Sequence, residues 1–369
     1  MHLEETKQSE HNKSCKSCGA ELNYQPGSDF LKCTYCGYRE EIQIDKEQSI
    51  LELDLKSYLS TLGGQAHSEE ITMVHCNGCG ANQHIGDHIK TQHCVFCGSI
   101  LTLKDQQKEE WILPGAIIPF FIDDKKAKEE FNHWVKGLWF APNKFKKATL
   151  NTDSIQGVYI PFWTFDANMN VQYSGEQGTY YYENKQVRVQ VNGKTEYRNQ
   201  QVRKTRWFPA SGSVNGFIDD TLIIASDKRK INVDEKVSNW DLSKTKAFDP
   251  KYLAGYITEK YTIPLKKGHF EAKKHADNIA LKWAKQDIGG DTQRVHHLEK
   301  VLSEETFKHI LLPLYMSTYA YSGKVYKFHI NGQTGRLSGE RPYSIWKIIF
   351  TVLLVVLVIG SIVYFTKGN

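Results

Sequence analysis

Two blocks of four cysteines constrain this chain more than any other feature. Cys15, Cys18, Cys33 and Cys36 read C-x2-C-x14-C-x2-C, and Cys76, Cys79, Cys94 and Cys97 repeat that spacing sixty-one residues later, using all eight cysteines of the chain. Glycine follows each pair (Gly19, Gly37, Gly80, Gly98), giving four CxxCG knuckles. Such a turn lets two sulfurs converge while backbone N–H groups point back at them, and glycine supplies the positive φ that closes it. Zinc takes four ligands tetrahedrally, so the pattern predicts two structural Zn ions, with no coordination position open for a catalytic water. His75, His84, His88 and His93 lie near the second block as alternative ligands. Fewer than about forty residues cannot hold a core unaided, so the metal is expected to hold each ribbon together.

The formal charge of +5 counts the cysteines as neutral thiols. Two Zn²⁺ ions on eight thiolates bring it to about +1, which weakens the electrostatic case for a nucleic-acid binder. Residues 1–14 are polar and mixed in charge, without the apolar stretch of a signal peptide. The expectation is a cytosolic front end whose thiols stay reduced and bind metal.

At the other end, residues 348–365 form an uncharged run rich in Val, Leu and Ile, bracketed by Lys347 and Lys367. At about 1.5 Å per residue it covers roughly 27 Å, close to the hydrocarbon thickness of a bilayer, and it carries no polar stripe of the kind a core helix shows. Trp346 and Tyr364 suit the two interfaces. Lys324, Lys327, Arg336, Arg341 and Lys347 precede the run and Lys367 follows it, so the expected topology is a single-pass tail anchor in the cell membrane, with the N-terminal bulk in the cytoplasm. Gly360 and Ser361 form no small-xxx-small pair, so the span offers no helix-dimer motif.

Between these ends the pattern predicts five parts: zinc ribbon 1 over residues 1–44, a helical spacer over 45–70, zinc ribbon 2 over 71–105, an α+β domain over 111–343 and the transmembrane helix over 345–366. Leu22 to Tyr24 and Phe30 to Lys32 read as short strands of the first ribbon. Asp45 to Leu62 carries apolar residues at helical spacing. Asp123 and Asp124 are capping candidates for a helix with Ala127, Phe131, Trp134, Val135 and Leu138 on one face. Val158 to Phe165, Asn170 to Tyr173 and Thr221 to Ala225 read as strands, and Val187, Val189 and Val191 lead into a hairpin at Asn192-Gly193. Phe270 to Asp287 reads as a helix stopped by Gly289-Gly290. Leu311 to Tyr321 and Lys324 to Ile330 form a hairpin about Ser322-Gly323. Helices and strands mix without βαβ alternation, so the fold class is α+β with a mostly antiparallel sheet.

No catalytic motif emerges, and the expectation is a protein that is not an enzyme. Gly193-Lys194-Thr195 looks like the end of a phosphate loop, but Arg188 stands where the earlier glycine belongs. His269, Glu271 and His275 lack the HExxH spacing and read as a solvated helix start. Asp219-Asp220 reads as a turn, Glu304-Glu305 as a helix start and Lys228, Arg229 and Lys230 as a solvated basic loop.

The CxxCG knuckles resemble the TFIIB-type zinc ribbon. Together with Leu113-Pro114 through Ile118-Pro119-Phe120, Gly157-Val158-Tyr159-Ile160-Pro161-Phe162-Trp163, Leu311-Leu312-Pro313 through Asn331-Gly332-Gln333-Thr334-Gly335, and Gly339-Glu340-Arg341-Pro342, the order of parts resembles a family of bacterial proteins with N-terminal zinc ribbons and a C-terminal anchor. This is the YdjG type of Bacillus membrane-stress operons, whose relatives are often labelled primosomal or replication-restart helicases. The resemblance implies a phage-shock-A-like coat protein and an SPFH, flotillin-like protein as partners. The leading expectation is a membrane-anchored adaptor that touches lipid through its C-terminal helix. The alternative is a ribbon protein that tethers nucleic acid or a replication factor to the membrane.

Overall fold

Residues 174–186 do not alternate between apolar and polar, yet the chain stays extended through them because they pair residue by residue with 199–211. In this computed structural model residues 14–43, 50, 52–60, 68–84, 93–101, 106–150, 155–191, 194–227 and 236–367 are described. The fold is α+β and mostly sheet, with two four-cysteine clusters near its start and one apolar helix at its end.

β1 (Leu22–Tyr24), β2 (Phe30–Cys33) and β3 (Arg39–Glu41) make a small antiparallel sheet beside the first cysteines. The helix expected over Asp45 to Leu62 is, among the described residues, only α1 (Leu55–Ser60), which follows β4 (Leu53–Asp54). Leu53 and Asp54 are extended because they pair with Phe307 and Thr306, and the Asp54 carboxylate accepts from the Ser57 N–H at 2.7 Å to cap the turn that follows. β5 (Ser68–His75), β6 (Asn82–His84) and β7 (Gln106–Ile112) surround the second cysteines, and β8 (Ala116–Ile117) follows. α2 (Asp124–Gly137) is capped as the sequence predicts, the Asp123 carboxylate accepting from the Lys126 N–H, and α3 (Asn143–Leu150) turns back from it.

The two strands expected over Val158 to Phe165 and Asn170 to Tyr173 are one, β9 (Gln156–Val191), which pairs in antiparallel fashion with β10 (Lys194–Ile224). Val191 lies opposite Lys194, as a two-residue turn requires; Asn192 and Gly193 themselves fall outside the described residues. The basic run Lys228, Arg229 and Lys230 falls outside them too. β11 (Lys246–Ala247), β12 (Ile257–Glu259), α4 (Leu265–Ile288), β13 (Thr292–Tyr321), β14 (Lys324–Asn331), β15 (Leu337–Gly339) and α5 (Ile345–Lys367) complete the chain. Ser322 and Gly323 both take positive φ, 52° and 75°, which makes the tight β13–β14 hairpin that the sequence signals.

β10, β9 and β13 lie side by side, with β14, β8 and β4 in turn along the far edge of β13. β12 pairs in parallel with the start of β9 and in antiparallel fashion with β6, so the second ribbon continues the sheet of the body. Bulges interrupt β10 between Ile218 and Thr221 and β13 between Ser303 and Thr306. Asp219-Asp220 and Glu304-Glu305 sit in these bulges and are neither a loop turn nor a helix start; Asp220 and Glu304 carry the positive φ, 47° and 52°, that a bulge needs.

α4 lies across β9, β10 and β13 with Ala272, Ala276, Ala280 and Ala284 buried, a small-residue stripe that brings its axis close to the sheet. A Cβ at Gly216 would lie 2.5 Å from the Trp283 ring, so glycine is required for that approach. At the opposite end of the ladder, Phe120 stacks on Tyr256 with ring centres 4.0 Å apart, and Tyr159 and Tyr315 close the cluster. The first ribbon docks here. Tyr24 packs edge-on against Tyr252 at 5.2 Å and donates its hydroxyl to the Ser28 carbonyl, while the Gly27 N–H donates to the Phe120 carbonyl at 2.8 Å.

Candidate metal centres

Each cysteine block folds into a pair of matching knuckles. The glycine N–H after each CxxC donates to the carbonyl of the first cysteine, Gly19 to Cys15 at 2.8 Å, Gly37 to Cys33 at 3.0 Å, Gly80 to Cys76 at 2.7 Å and Gly98 to Cys94 at 2.8 Å. All four glycines have φ between 72° and 77°. The knuckles bring the eight predicted residues into two groups, Cys15, Cys18, Cys33 and Cys36, and Cys76, Cys79, Cys94 and Cys97, with the four sulfurs of each within 4.8 Å of one another.

The separations decide what such a cluster can be. Sγ of Cys15 and Cys36 are 3.5 Å apart, Cys18 and Cys33 3.6 Å, Cys76 and Cys97 3.6 Å, and Cys79 and Cys94 3.7 Å. A disulfide needs about 2.05 Å. Metal–sulfur bonds of about 2.3 Å in a tetrahedron put the sulfurs about 3.8 Å apart, so both clusters fit a four-thiolate metal ion. Each cluster sets one thiol low against a neighbour held high. The Tyr38 N–H holds Cys36 down to about 6, while Cys18, against the pull of the Ala20 N–H, is pushed up to about 12 by its hydrogen bond to Cys36. The hydrogen bond from Cys94 holds Cys79 down to about 5, while Cys94, sharing its proton with Cys79, and Cys76, buried, are pushed up.

The chain is similar to a Bacillus protein along nearly its whole length. It is 27% identical over 338 residues to the uncharacterized protein YdjG of Bacillus subtilis (strain 168), covering 90% of this chain and 91% of that one. No family model matches the chain, and no solved structure matches it.

The two clusters share a spacing and differ in setting. In the first, Tyr35 between the cysteines of the second knuckle is 84% exposed, and Cys18 and Cys36 face solvent. In the second, Val95 and Phe96 occupy the equivalent turn and are buried with Ile310, Leu312 and Leu314 in the core of the body. Gln83, fully buried on β6, donates its side-chain amide to Cys94 Sγ at 3.3 Å. Sequence reasoning missed Gln83, because one glutamine in a short strand looks like any other polar residue. Among the described side chains of the candidate histidines, neither enters a cluster: His75 is hydrogen-bonded to Asn82 at 2.6 Å and His93 is exposed; the His84 side chain and His88 lie outside the described residues.

A third group, Asp166, Asp219 and Asp220, also converges. Its cationic partner is a side chain. Lys308 Nζ lies 2.6 Å from Asp220 Oδ1 and 2.9 Å from Glu52 Oε1, with its side chain only 7% exposed. Lys308 thus supplies the counter-charge for Asp220 at this group. His269, Glu271 and His275 do not assemble either. His269 is half-buried and hydrogen-bonds Glu305 at 2.5 Å, so it is not a solvated helix start; Glu271 pairs with Lys274, and His275 is exposed. Other motif residues pack the core: Gly157 lies against Tyr256 and Phe120, Gly332 against Phe120 and Pro313, and the Asn331 carboxamide accepts from the Gln333 and Thr334 N–H groups.

Proposed function

We propose that this chain is a membrane-anchored adaptor that gathers protein partners at the cytoplasmic face of the cell membrane, with zinc as the structural ion in both cysteine clusters. The observation that carries the reading is the opposition of anchor and arm along one β ladder. At one end, Gln156 of β9 pairs with Met316 of β13, and the following β13–β14 hairpin packs Tyr319, Tyr321 and Tyr326 on Phe145 of α3, beside the start of α5. At the other end, β13 begins at Thr292 opposite Gly178, and residues 179–191 and 194–206 run on beyond it as a two-stranded arm of roughly 40 Å, at about 3.3 Å per residue.

A stiff ladder with a bilayer anchor at one end and an exposed arm at the other suits a platform that holds partners away from the lipid surface. Residues 179–206 hold seven Lys and Arg against two Glu, a balance of 7 − 2 = +5 that suits an acidic partner surface. The exposed knuckle around Tyr35 offers a second contact. The resemblance noted above makes phage-shock-A-like and SPFH-type proteins the partners to test, and the lysines and arginines before α5 support the cytoplasmic orientation. Confinement to the bilayer raises the local concentration of whatever is bound. The reading is of a binding protein and assigns no catalysis.

The test is co-purification from gently solubilised membranes of the full chain, of a chain with residues 185–200 replaced by a two-residue turn, and of Cys15→Ser. Loss of coat or SPFH-type proteins from either variant, with the variant still in the membrane, supports the adaptor. Undiminished recruitment by both sinks it.

One observation favours the nucleic-acid reading as runner-up. Arg203 lies over Tyr180 at 4.3 Å, Arg206 over Tyr181 at 5.3 Å and Arg294 over Trp207 at 3.8 Å, an aromatic and basic surface on the arm and its base. Filter binding of single-stranded and duplex DNA at low and moderate salt tests it, and no retention at low salt removes it.

A further inference from the structure

Hydrogen bonds tie the start of α5 to the body. Lys347, in the first turn of α5, spends all three N–H donors on the corner between α2 and α3: the Trp139 carbonyl at 3.1 Å, the Ala141 carbonyl at 2.8 Å and Asn143 Oδ1 at 2.8 Å. The Ser344 N–H donates to the Phe140 carbonyl at 2.8 Å, and the Ser344 hydroxyl accepts from the Lys347 N–H to cap the helix. A helix fastened by these bonds cannot swivel freely, so the body holds a fixed attitude to anything α5 enters.

That attitude sets the depth of one side chain. Trp139 is 72% exposed although its backbone is bonded to Lys347, and Phe140 beside it is 38% exposed. Lys347 is the last charge before the apolar run, so it marks the headgroup level, and Trp139 stands level with it. Trp346 and Tyr343, just before Lys347 in the chain, are 82% and 57% exposed. Charge follows the same geography. Residues 131–150 contain Lys136, Lys144, Lys146 and Lys147 and no acidic residue, and residues 341–369 contain none either. Lys144 and Lys147, three apart on α3, share an exposed face while Phe145 between them is buried.

We infer that the α2–α3 corner is a second membrane contact, in which Trp139 enters the interface and Lys136, Lys144 and Lys147 meet anionic lipid headgroups. The inference rests on the reading that α5 spans the bilayer and adds that the body is docked on the bilayer surface. Exposed indole beside lysines is the composition that favours the boundary between headgroups and acyl chains, and each lysine near an anionic surface contributes attraction that salt screens.

The test uses the full chain in nanodiscs of phosphatidylcholine and phosphatidylglycerol, with acyl chains plain or brominated near the headgroup, and reads bromine quenching of tryptophan fluorescence. Trp139→Leu is expected to remove about half of the bromine-quenched intensity, because two interfacial indoles become one. Trp346→Leu is the control for the anchor. If Trp346→Leu lowers the quenching and Trp139→Leu does not, α5 spans but the corner stands clear of the lipid, and the inference is overturned. If neither does, the anchor reading fails and takes this one with it. Lys144→Glu with Lys147→Glu is expected to cut Trp139 quenching in discs with phosphatidylglycerol and to leave it unchanged in pure phosphatidylcholine; equal quenching by the wild type in both lipids overturns the anionic part. Bound metal and the unfolding transition confirm that each variant is folded.

Discussion

Gln83 donates its side-chain amide to the sulfur of Cys94, 3.3 Å away, and both are buried. A neutral donor aimed at a thiolate lowers its charge density and fixes its direction, which is how groups behind the ligands tune a metal site. Gln83→Leu keeps all four sulfurs and removes the donor, so it is expected to weaken metal binding at the second cluster by about 10- to 100-fold and leave the first unchanged. Competition with a chromophoric zinc chelator separates the two; equal affinity in variant and wild type refutes the role.

The clusters carry unequal structural weight. Phe96 and Val95 of the second lie in the body's core and β6 pairs with β12, whereas the first cluster belongs to a separate three-stranded sheet docked through Tyr24. Cys76→Ser is therefore expected to destabilise the body by an amount of the order of 4 kcal/mol, at the upper end for single substitutions, and Cys15→Ser by clearly less. Denaturant unfolding followed by tryptophan fluorescence measures both, and equal losses would show that the first ribbon is as integral as the second.

What was legible in the sequence follows from what is local. The knuckles, the Asp123 cap and the Ser322-Gly323 turn each require particular residues at fixed short spacing, and each is found where the spacing puts it. β9 was harder to read because Gly175 and Gly178 look like breaks; Gly178 instead makes room for Thr205 and Trp207 across the strand pair, where a Cβ would lie 2.8 Å from each. The pairing of β6 with β12 joins His84 to Thr258, and no local rule fixes a register across so many residues. The Lys308 cluster was hidden for the same reason: Glu52, Asp166, Asp220 and Lys308 come from four separate segments, and none of them is unusual in its own window.

That cluster makes its own prediction. Removing Lys308 leaves Asp220, Asp166 and Glu52 facing one another without a cation, and Lys308→Met is expected to cost about 2–3 kcal/mol, a value reduced from the fully buried case because Glu52 and Asp220 are 45% and 25% exposed. Adding Asp220→Asn should return part of the loss, since one of the stranded charges goes with it. Strict additivity of the two substitutions in denaturant unfolding would mean that the pair is not coupled.

Acid should loosen the body through two histidines. His309 lies among Trp111, Trp163 and Tyr261 with its Nδ1 at 2.8 Å from the Ile112 carbonyl, and burial pushes it down to about 4; burial does the same to His329, also to about 4. An unfolded histidine titrates near 6.5. Between about 6.5 and 4 the unfolded chain therefore binds protons that the folded chain refuses, so stability falls as the pH falls through that window, by about 1.4 kcal/mol per pH unit for each histidine at full slope. His309→Asn retains an N–H donor for the Ile112 carbonyl and has no proton to gain, so it should flatten the dependence by about 1.2 kcal/mol between pH 6 and 5, where the unfolded histidine is not yet fully protonated. Protonation of the cysteine clusters acts on both proteins alike and cancels in the difference. Parallel stability curves for wild type and variant would show that His309 is charged, or already paired, in the folded state.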